Sequence, residues 1–259
     1  MSSVDGRSAL AYDAAGSGEA ILLLHASAGD RRMWDPQWPG LLDSGRCLVR
    51  CDFRGYGQSP VPTETGSDAE DVVDLLDALG VRKAAVVGAS FGGGVALEIA
   101  ARWPERIHAL VLLCTVSPFH PPTGELNTFD EQEEALLEAG RLHEAVELNV
   151  RTWLGPEADA SARDLVRRMQ RQSYEVQLAA PEVAPVTAEF ELSRVWARTL
   201  VVTGQQDMGY FRRAGEELAA RLTDATWVDL AWAGHLPNLE RPEQILALLV
   251  EFLDSDGPE

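Results

Sequence analysis

The chain has 259 residues, 46% hydrophobic and 24% charged, a globular composition with material for a sizeable core. Its formal net charge is −19 with no basic block, which argues against nucleic acid and acidic membrane surfaces as partners, since both are held through Lys and Arg. Apolar runs such as Ala20–Leu24 and Ala109–Cys114 are too short to span a bilayer, and MSSVDGRSAL has neither the basic nor the apolar region of a secretion signal, so a cytoplasmic location is expected.

A strand is predicted over Ala9–Asp13 and another over Ala20–His25, the second apolar throughout, as expected when both faces of a sheet are covered. The next, Arg46–Asp52, carries Cys47 and Cys51. Four residues of strand span roughly 13 Å, too far for a disulfide. With Cys114 as the third cysteine, reduced thiols are expected. Asp68–Leu79 (DAEDVVDLLDAL) places Val72, Leu75, Leu76 and Leu79 on one helical face, and Gly80 stops it. Strand Ala84–Gly88 is followed by helix Gly92–Trp103, which ends before Pro104, and then by strand Ile107–Cys114. From Ser117 to Trp196 no strand is legible. A Pro-rich entrance, SPFHPPTG, leads into helical patterns at Phe129–Ala139, Arg141–Trp153, Ala160–Ser173 and roughly Ala188–Trp196. Strand Thr199–Thr203, helix Tyr210–Leu222, strand Thr226–Leu230 and helix Pro242–Leu253 complete the chain. Strand alternating with helix predicts an α/β fold, a doubly wound and mostly parallel sheet. Its core comprises residues 1–116 and 197–259, and residues 117–196 form a helical cap inserted before the last two strands. That cap is expected over the C-terminal edge of the sheet, where such sheets bind ligands.

At the end of the Ala84–Gly88 strand the chain reads GASFG. Ser90 stands between Gly88 and Gly92 where a strand turns into a helix, the pattern of a nucleophile elbow. A GxSxG occurs by chance in about one chain in ten of this length, so the strand-to-helix context carries the weight. A serine hydroxyl needs a base. Of His25, His108, His120, His143 and His235, the last follows the final strand in a loop that opens with Gly234, at the same sheet edge, and is the expected base. His120, in the Pro-rich entrance, is the competitor. The base needs an orienting carboxylate, and Asp207 leaves the Thr199–Thr203 strand between glutamines and the next helix. The oxyanion donors are then the N–H of Phe91, just after the serine, and the N–H of Ser27, with Ala26 second, from the loop after Ala20–His25. His25 is expected to pin that loop. No Cys/His cluster has metal-ligand spacing, and the chemistry calls for no metal and no cofactor.

These residues carry a resemblance. LLLHASAGDRRMWDPQ (22–37), CDFRGYGQS (51–59), VVGASFGGGVALEIAARWPERI (86–107), LVVTGQQD (200–207) and AGHLPNLERPEQI (233–245) resemble the α/β-hydrolase superfamily, nearest to the 3-oxoadipate enol-lactonases and similar small esterases. The resemblance covers almost all of the chain outside the cap. It implies the α/β-hydrolase fold and Ser-Asp-His machinery, Trp153 as a cap residue facing the site, and Ala26 beside the oxyanion hole. Two positions depart from the family pattern: Ala26 where glycine is usual after His25, whose methyl would narrow the approach, and Gln205 where an acid is common. The expected activity is hydrolysis of a small carboxylic ester or lactone by a monomer or homodimer. The same triad serves C–C hydrolysis, perhydrolysis or a lyase reaction in relatives, and some members bind ligands without turnover. Arg151 is a possible partner for an anionic substrate.

Overall fold

The computed structural model describes residues 10–180, 183 and 186–255. Its strands are β1 (Tyr12–Gly16), β2 (Ala20–Leu24), β3 (Cys47–Cys51), β4 (Ala84–Ala89), β5 (Ile107–Leu113), β6 (Arg198–Gly204) and β7 (Ala225–Leu230). They form one seven-stranded sheet in the order β1-β3-β2-β4-β5-β6-β7, with β1 antiparallel to β3 and the other pairs parallel. The helices are α1 (Trp38–Asp43), α2 (Asp68–Ala78), α3 (Phe91–Arg102), α4 (Gly124–Glu138), α5 (Leu142–Trp153), α6 (Ala160–Gln177), α7 (Gly209–Arg221), α8 (Pro237–Glu240) and α9 (Pro242–Asp254). This is the predicted doubly wound sheet of an α/β-hydrolase fold, with α4 to α6 inserted between β5 and β6.

The pleat explains why the central strands are apolar at every position. Ile21 and Leu23 of β2 and Val87 of β4 pack on the side covered by Leu41 of α1 and Ile245 and Leu249 of α9. Leu22, Leu24 and Val86 pack on the other side with Val72, Leu75 and Leu76 of α2 and Leu97 and Ile99 of α3. Each such fully buried Leu or Ile contributes about 1.5–3 kcal/mol. Ser67 caps α2 by accepting the N–H of Glu70 at 3.3 Å, and Asp68, Glu70 and Asp71 lie in the first turn at the positive end of the helix.

Beyond α6 running on to Gln177 and the unpredicted short helices α1 and α8, three elements differ from the sequence prediction. β1 lies at Tyr12–Gly16, later than Ala9–Asp13, because pairing with β3, from Tyr12 opposite Cys51 to Gly16 opposite Cys47, sets its bounds. Ala9 lies outside the described residues. α4 begins at Gly124, ahead of Phe129, because the Thr123 hydroxyl accepts the N–H of Leu126 at 3.4 Å and starts the helix in a Gly/Asn-containing stretch. The helix predicted over Ala188–Trp196 is absent. Extended chain leads to one 3₁₀ turn, Leu192–Arg194, after which Val195 and Ala197 enter the core as the chain straightens into β6. The apolar spacing there serves a turn and an extended run, so the insertion has three α-helices among the described residues. Cys47, Cys51 and Cys114 are free thiols.

Candidate active site

β4 delivers Ser90 directly into α3. Ser90 holds φ 50° and ψ −115°, a left-handed conformation costly for a residue with a Cβ. The surroundings enforce it. Its N–H donates to the Leu113 carbonyl (2.8 Å), while its own carbonyl accepts the N–H groups of Gly93 (3.0 Å), Gly94 (3.1 Å) and Val116 (3.3 Å). The flanking glycines are required by close approach. A Cβ on Gly88 would lie 2.7 Å from the Gly93 Cα, and one on Gly92 would lie 2.5 Å from the His25 carbonyl oxygen. Gly92 also donates its N–H to that oxygen at 3.1 Å, which docks the start of α3 on the loop after β2. Gly92→Val is therefore expected to lower unfolding stability by about 3 kcal/mol or more, because the new Cβ is driven into the backbone of Leu24 and His25. Chemical denaturation reads this directly, and a curve matching the parent would refute the close approach.

Asp207 follows β6 and His235 follows β7. The His235 Nδ1 lies 2.8 Å from Asp207 Oδ2, with the Asp207 side chain wholly buried and His235 3% exposed. The other Asp207 oxygen accepts the Met208 N–H at 2.7 Å. A carboxylate can only accept here, so Nδ1 carries the proton and Nε2 is left as an acceptor. The imidazole packs against Phe211 (centroids 4.0 Å) and Trp153 (4.6 Å), and the His235 backbone N–H donates to the Trp153 carbonyl at 3.2 Å. Glu240 clamps the same loop: its oxygens accept the Gly234 N–H at 2.9 and 3.1 Å. Burial pushes the Glu240 carboxyl above the ordinary range.

Cys114 lies between two of the elbow's hydrogen-bond partners and beside the Asp207–His235 pair. It follows β5 at φ 44°. Ser90 is hydrogen-bonded to Leu113 and Val116 on either side of it, and its sulfur lies within 4.8 Å of ligand atoms of Asp207 and His235. Burial pushes the Cys114 thiol far up, so it stays protonated, and it donates to the Gly234 carbonyl at 3.6 Å. Sequence reasoning did not connect Cys114 to the site. Its place at the C-terminal end of the strand beside β4 was the available signal.

On the opposite flank His25 pins its loop as expected. Its Nε2 accepts the Phe53 N–H at 3.0 Å, so Nδ1 must carry the proton, and that N–H donates to the Ala26 carbonyl at 2.8 Å. Burial pushes the His25 imidazole below its usual value, which keeps it neutral. The Ala26 carbonyl also accepts the Gly29 N–H at 3.0 Å. In a trans peptide the Ser27 N–H then points the opposite way. Neither the Ser27 nor the Phe91 N–H has a hydrogen-bond partner among the described residues. The Ala26 N–H, the second choice, donates to Met33 Sδ at 3.2 Å, and the residue is buried in the core, so that methyl is packing material. Asp52, also buried, accepts N–H groups from Arg31 and Gln58, each at 2.8 Å, and the Arg31 guanidinium, tying the far end of this loop to the DFRGYGQS turn.

Of the remaining residues, Trp153 lies against His235 and the others lie away from it. His120 pairs with Glu217 at 3.0 Å and lies against Tyr210. Arg151 and His143 line an outward groove between α4 and α5, and Gln205 donates to Asp229 at 3.0 Å. Trp153 is buried, packing on Phe129, Phe211 and His235. A cavity of about 270 Å³ adjoins the elbow from the α2–α3 side, lined in part by Phe91, Gly94, Val116 and Ser117.

A parallel sheet with a serine elbow, a buried carboxylate–imidazole pair and two unpartnered N–H groups at its C-terminal edge is the arrangement of a hydrolase of the α/β class. The chain belongs to the α/β-hydrolase family, whose model, described as alpha/beta hydrolase fold, matches residues 19–172. It is 30% identical to a putative carbamate hydrolase, RutD, of Caulobacter segnis, covering 91% of each chain. It is 29% identical to a 2-hydroxymuconate semialdehyde hydrolase of Pseudomonas putida, over 92% of this chain and 88% of the other. Among solved structures it resembles the enol-lactonase from Burkholderia xenovorans LB400, with a TM-score of 0.79 at 24% identity over 95% and 96% of the two chains. Among the described residues no helix is long and apolar enough to cross a membrane.

Proposed function

We propose that this protein is a serine hydrolase cleaving a small, uncharged carboxylic ester or lactone. His235 Nε2 takes the proton of Ser90 Oγ, and the oxygen attacks the carbonyl carbon. The Ser27 and Phe91 N–H groups receive the tetrahedral oxyanion. The C–O bond to the leaving group breaks as that oxygen takes the proton from Nε2. Water, deprotonated by the same nitrogen, then releases the acid from the acyl-enzyme. For a lactone the leaving hydroxyl stays tethered to the acid. The helical insertion is the cap that keeps water from this centre.

The observation that carries the reading is the Asp207–His235 hydrogen bond, which leaves Nε2 as an acceptor in a chain that also holds a serine on a strained strand-to-helix elbow. Neutrality follows from the arginines. Arg32 is bound to Asp30 and Gln172, Arg31 to Asp13 and Asp52, Arg163 to the Gly155 carbonyl, and Arg151 faces the outward groove. The surfaces around His235 are instead aromatic and aliphatic. A neutral short-chain ester is accordingly expected to show at least a tenfold higher kcat/KM than the same ester carrying a terminal carboxylate, since a desolvated charge would go unpaired. Equal rates would refute this selectivity.

A fluorophosphonate tests the nucleophile itself. Intact mass and peptide mapping are expected to find one adduct, on Ser90, lost in Ser90→Ala. A protein that stays unlabelled while hydrolysing esters would overturn the assignment. The carbamate hydrolase relatives favour a second substrate for the same machinery, an alkyl carbamate, in which the acyl-enzyme would be a carbamoyl-enzyme with a distinct added mass.

A further inference from the structure

We infer that Asn149 is a positioning residue for the base, holding the indole of Trp153 against the imidazole of His235. The inference rests on the reading of His235 as the base. Trp153 meets His235 twice. It is the last residue of α5, so its carbonyl lacks an intrahelical donor, and the His235 backbone N–H supplies one at 3.2 Å. Its indole also packs on the imidazole with ring centroids 4.6 Å apart. Both the backbone and the ring of the base are thus set by one residue of the helical insertion.

That indole is itself held. Its Nε1–H donates to Asn149 Oδ1 at 2.8 Å, one turn earlier on the same face of α5. The Asn149 amide nitrogen is engaged with Tyr174 Oη of α6 (2.7 Å), Glu133 Oε1 of α4 (2.5 Å) and the Ala145 carbonyl (3.1 Å). Tyr174 donates its hydroxyl to the same Glu133 oxygen. Asn149 and Tyr174 are 2% and 5% exposed, so this is a polar network inside the insertion. Packing three helices together does not call for one, because apolar residues of similar volume would serve. What the network does is select a single indole orientation: Trp153 offers one donor, and the amide oxygen is turned towards it because the amide nitrogen faces acceptors on the other side. Glu133, on the insertion's surface, is linked in this way through Tyr174, Asn149 and Trp153 to His235.

The groups facing His235 are the Asp207 carboxylate, the Cys114 thiol, the Phe211 and Trp153 rings and, through Gly234, the Glu240 carboxylate. Asp207 fixes the imidazole at Nδ1. The two aromatic faces fix its tilt and with it the direction of Nε2. The indole face also attracts the imidazolium that exists once the serine proton has moved. Loosening the indole acts on the chemical step and spares substrate binding.

The test is a double-mutant cycle on Asn149→Leu and Trp153→Phe, with steady-state kinetics on a neutral ester and the low-field proton NMR signal of the His235 Nδ1–H. Trp153→Phe keeps an aromatic face and removes the donor, so it leaves no unsatisfied N–H if Asn149→Leu folds poorly. Each single variant is expected to lower kcat about tenfold with KM within twofold and to broaden the low-field line. The double variant is expected to match the singles, because both remove the same hydrogen bond. Additive losses, or a KM effect with kcat and the NMR line intact, would overturn the inference. The NMR arm needs no turnover. A parent that hydrolyses no ester would count against the serine-hydrolase reading, while loss of the line in the variants would still support the positioning role.

Discussion

Replacing Ser90 with alanine is expected to reduce ester turnover by roughly 10⁴- to 10⁶-fold while leaving the fold intact. The methyl group keeps the Cβ and the backbone bonds of Ser90 to Leu113, Gly93, Gly94 and Val116, so nothing in the packing is lost. What disappears is the only oxygen that can form the acyl-enzyme. The residual rate is that of a site which still offers the Ser27 and Phe91 N–H groups and the His235 base to water. Ser90→Gly tests the strain separately. It loses the same activity, but glycine takes φ 50° without the Cβ clash, so its melting temperature is expected at or above that of Ser90→Ala despite the entropic cost of glycine. Kinetics and thermal melts on the two variants check both statements. Turnover within tenfold of the parent in either would end the nucleophile assignment.

Asp207→Asn is the second large effect, about 10⁴-fold in kcat/KM, or ~5.5 kcal/mol of transition-state stabilisation. The carboxylate accepts the Nδ1 proton at 2.8 Å and so leaves Nε2 free to accept. An asparagine amide that turns its NH₂ towards Nδ1 reverses the tautomer and places the proton on Nε2, where it blocks transfer from Ser90. Asp207 Oδ1 also accepts the Met208 N–H, a bond an amide oxygen can still take, so the loop is expected to hold. Glu240→Gln is the control. It alters the other buried carboxylate near His235, which touches Gly234 and leaves the imidazole alone, and should cost far less than Asp207→Asn. A reversed order of the two losses would move the orienting role to Glu240.

Much of this was legible in the sequence because it is local. The GASFG stretch is at once the end of a buried strand, a turn that needs glycines and the start of a helix, so three local requirements agree on Ser90. Asp207 and His235 follow strands, and a parallel sheet brings the C-terminal ends of its strands to one edge. His25 announced itself by sitting at the same edge with a short loop after it. The fourth helix of the insertion failed for the same kind of reason: Leu192 and Val195 stand three apart, as on a helical face, but their burial comes from a turn packed beside α3. Periodicity cannot tell these apart when the partner surface is unknown.

The sequence by itself determined the order of strands and helices, the hydrolase resemblance and the residues expected to do the chemistry, because each rests on spacing along the chain. Tertiary structure decided the rest. It placed Cys114 beside Asp207 and His235, turned Arg151 outward, committed the Ala26 N–H to Met33, and carried Trp153 from the insertion onto His235. The contacts of Cys114 and Trp153 join residues tens of positions apart, 82 in the case of Trp153 and His235. No periodic pattern encodes them, because they exist only once helices and strands have packed and each side chain has found the one neighbour that fills its space.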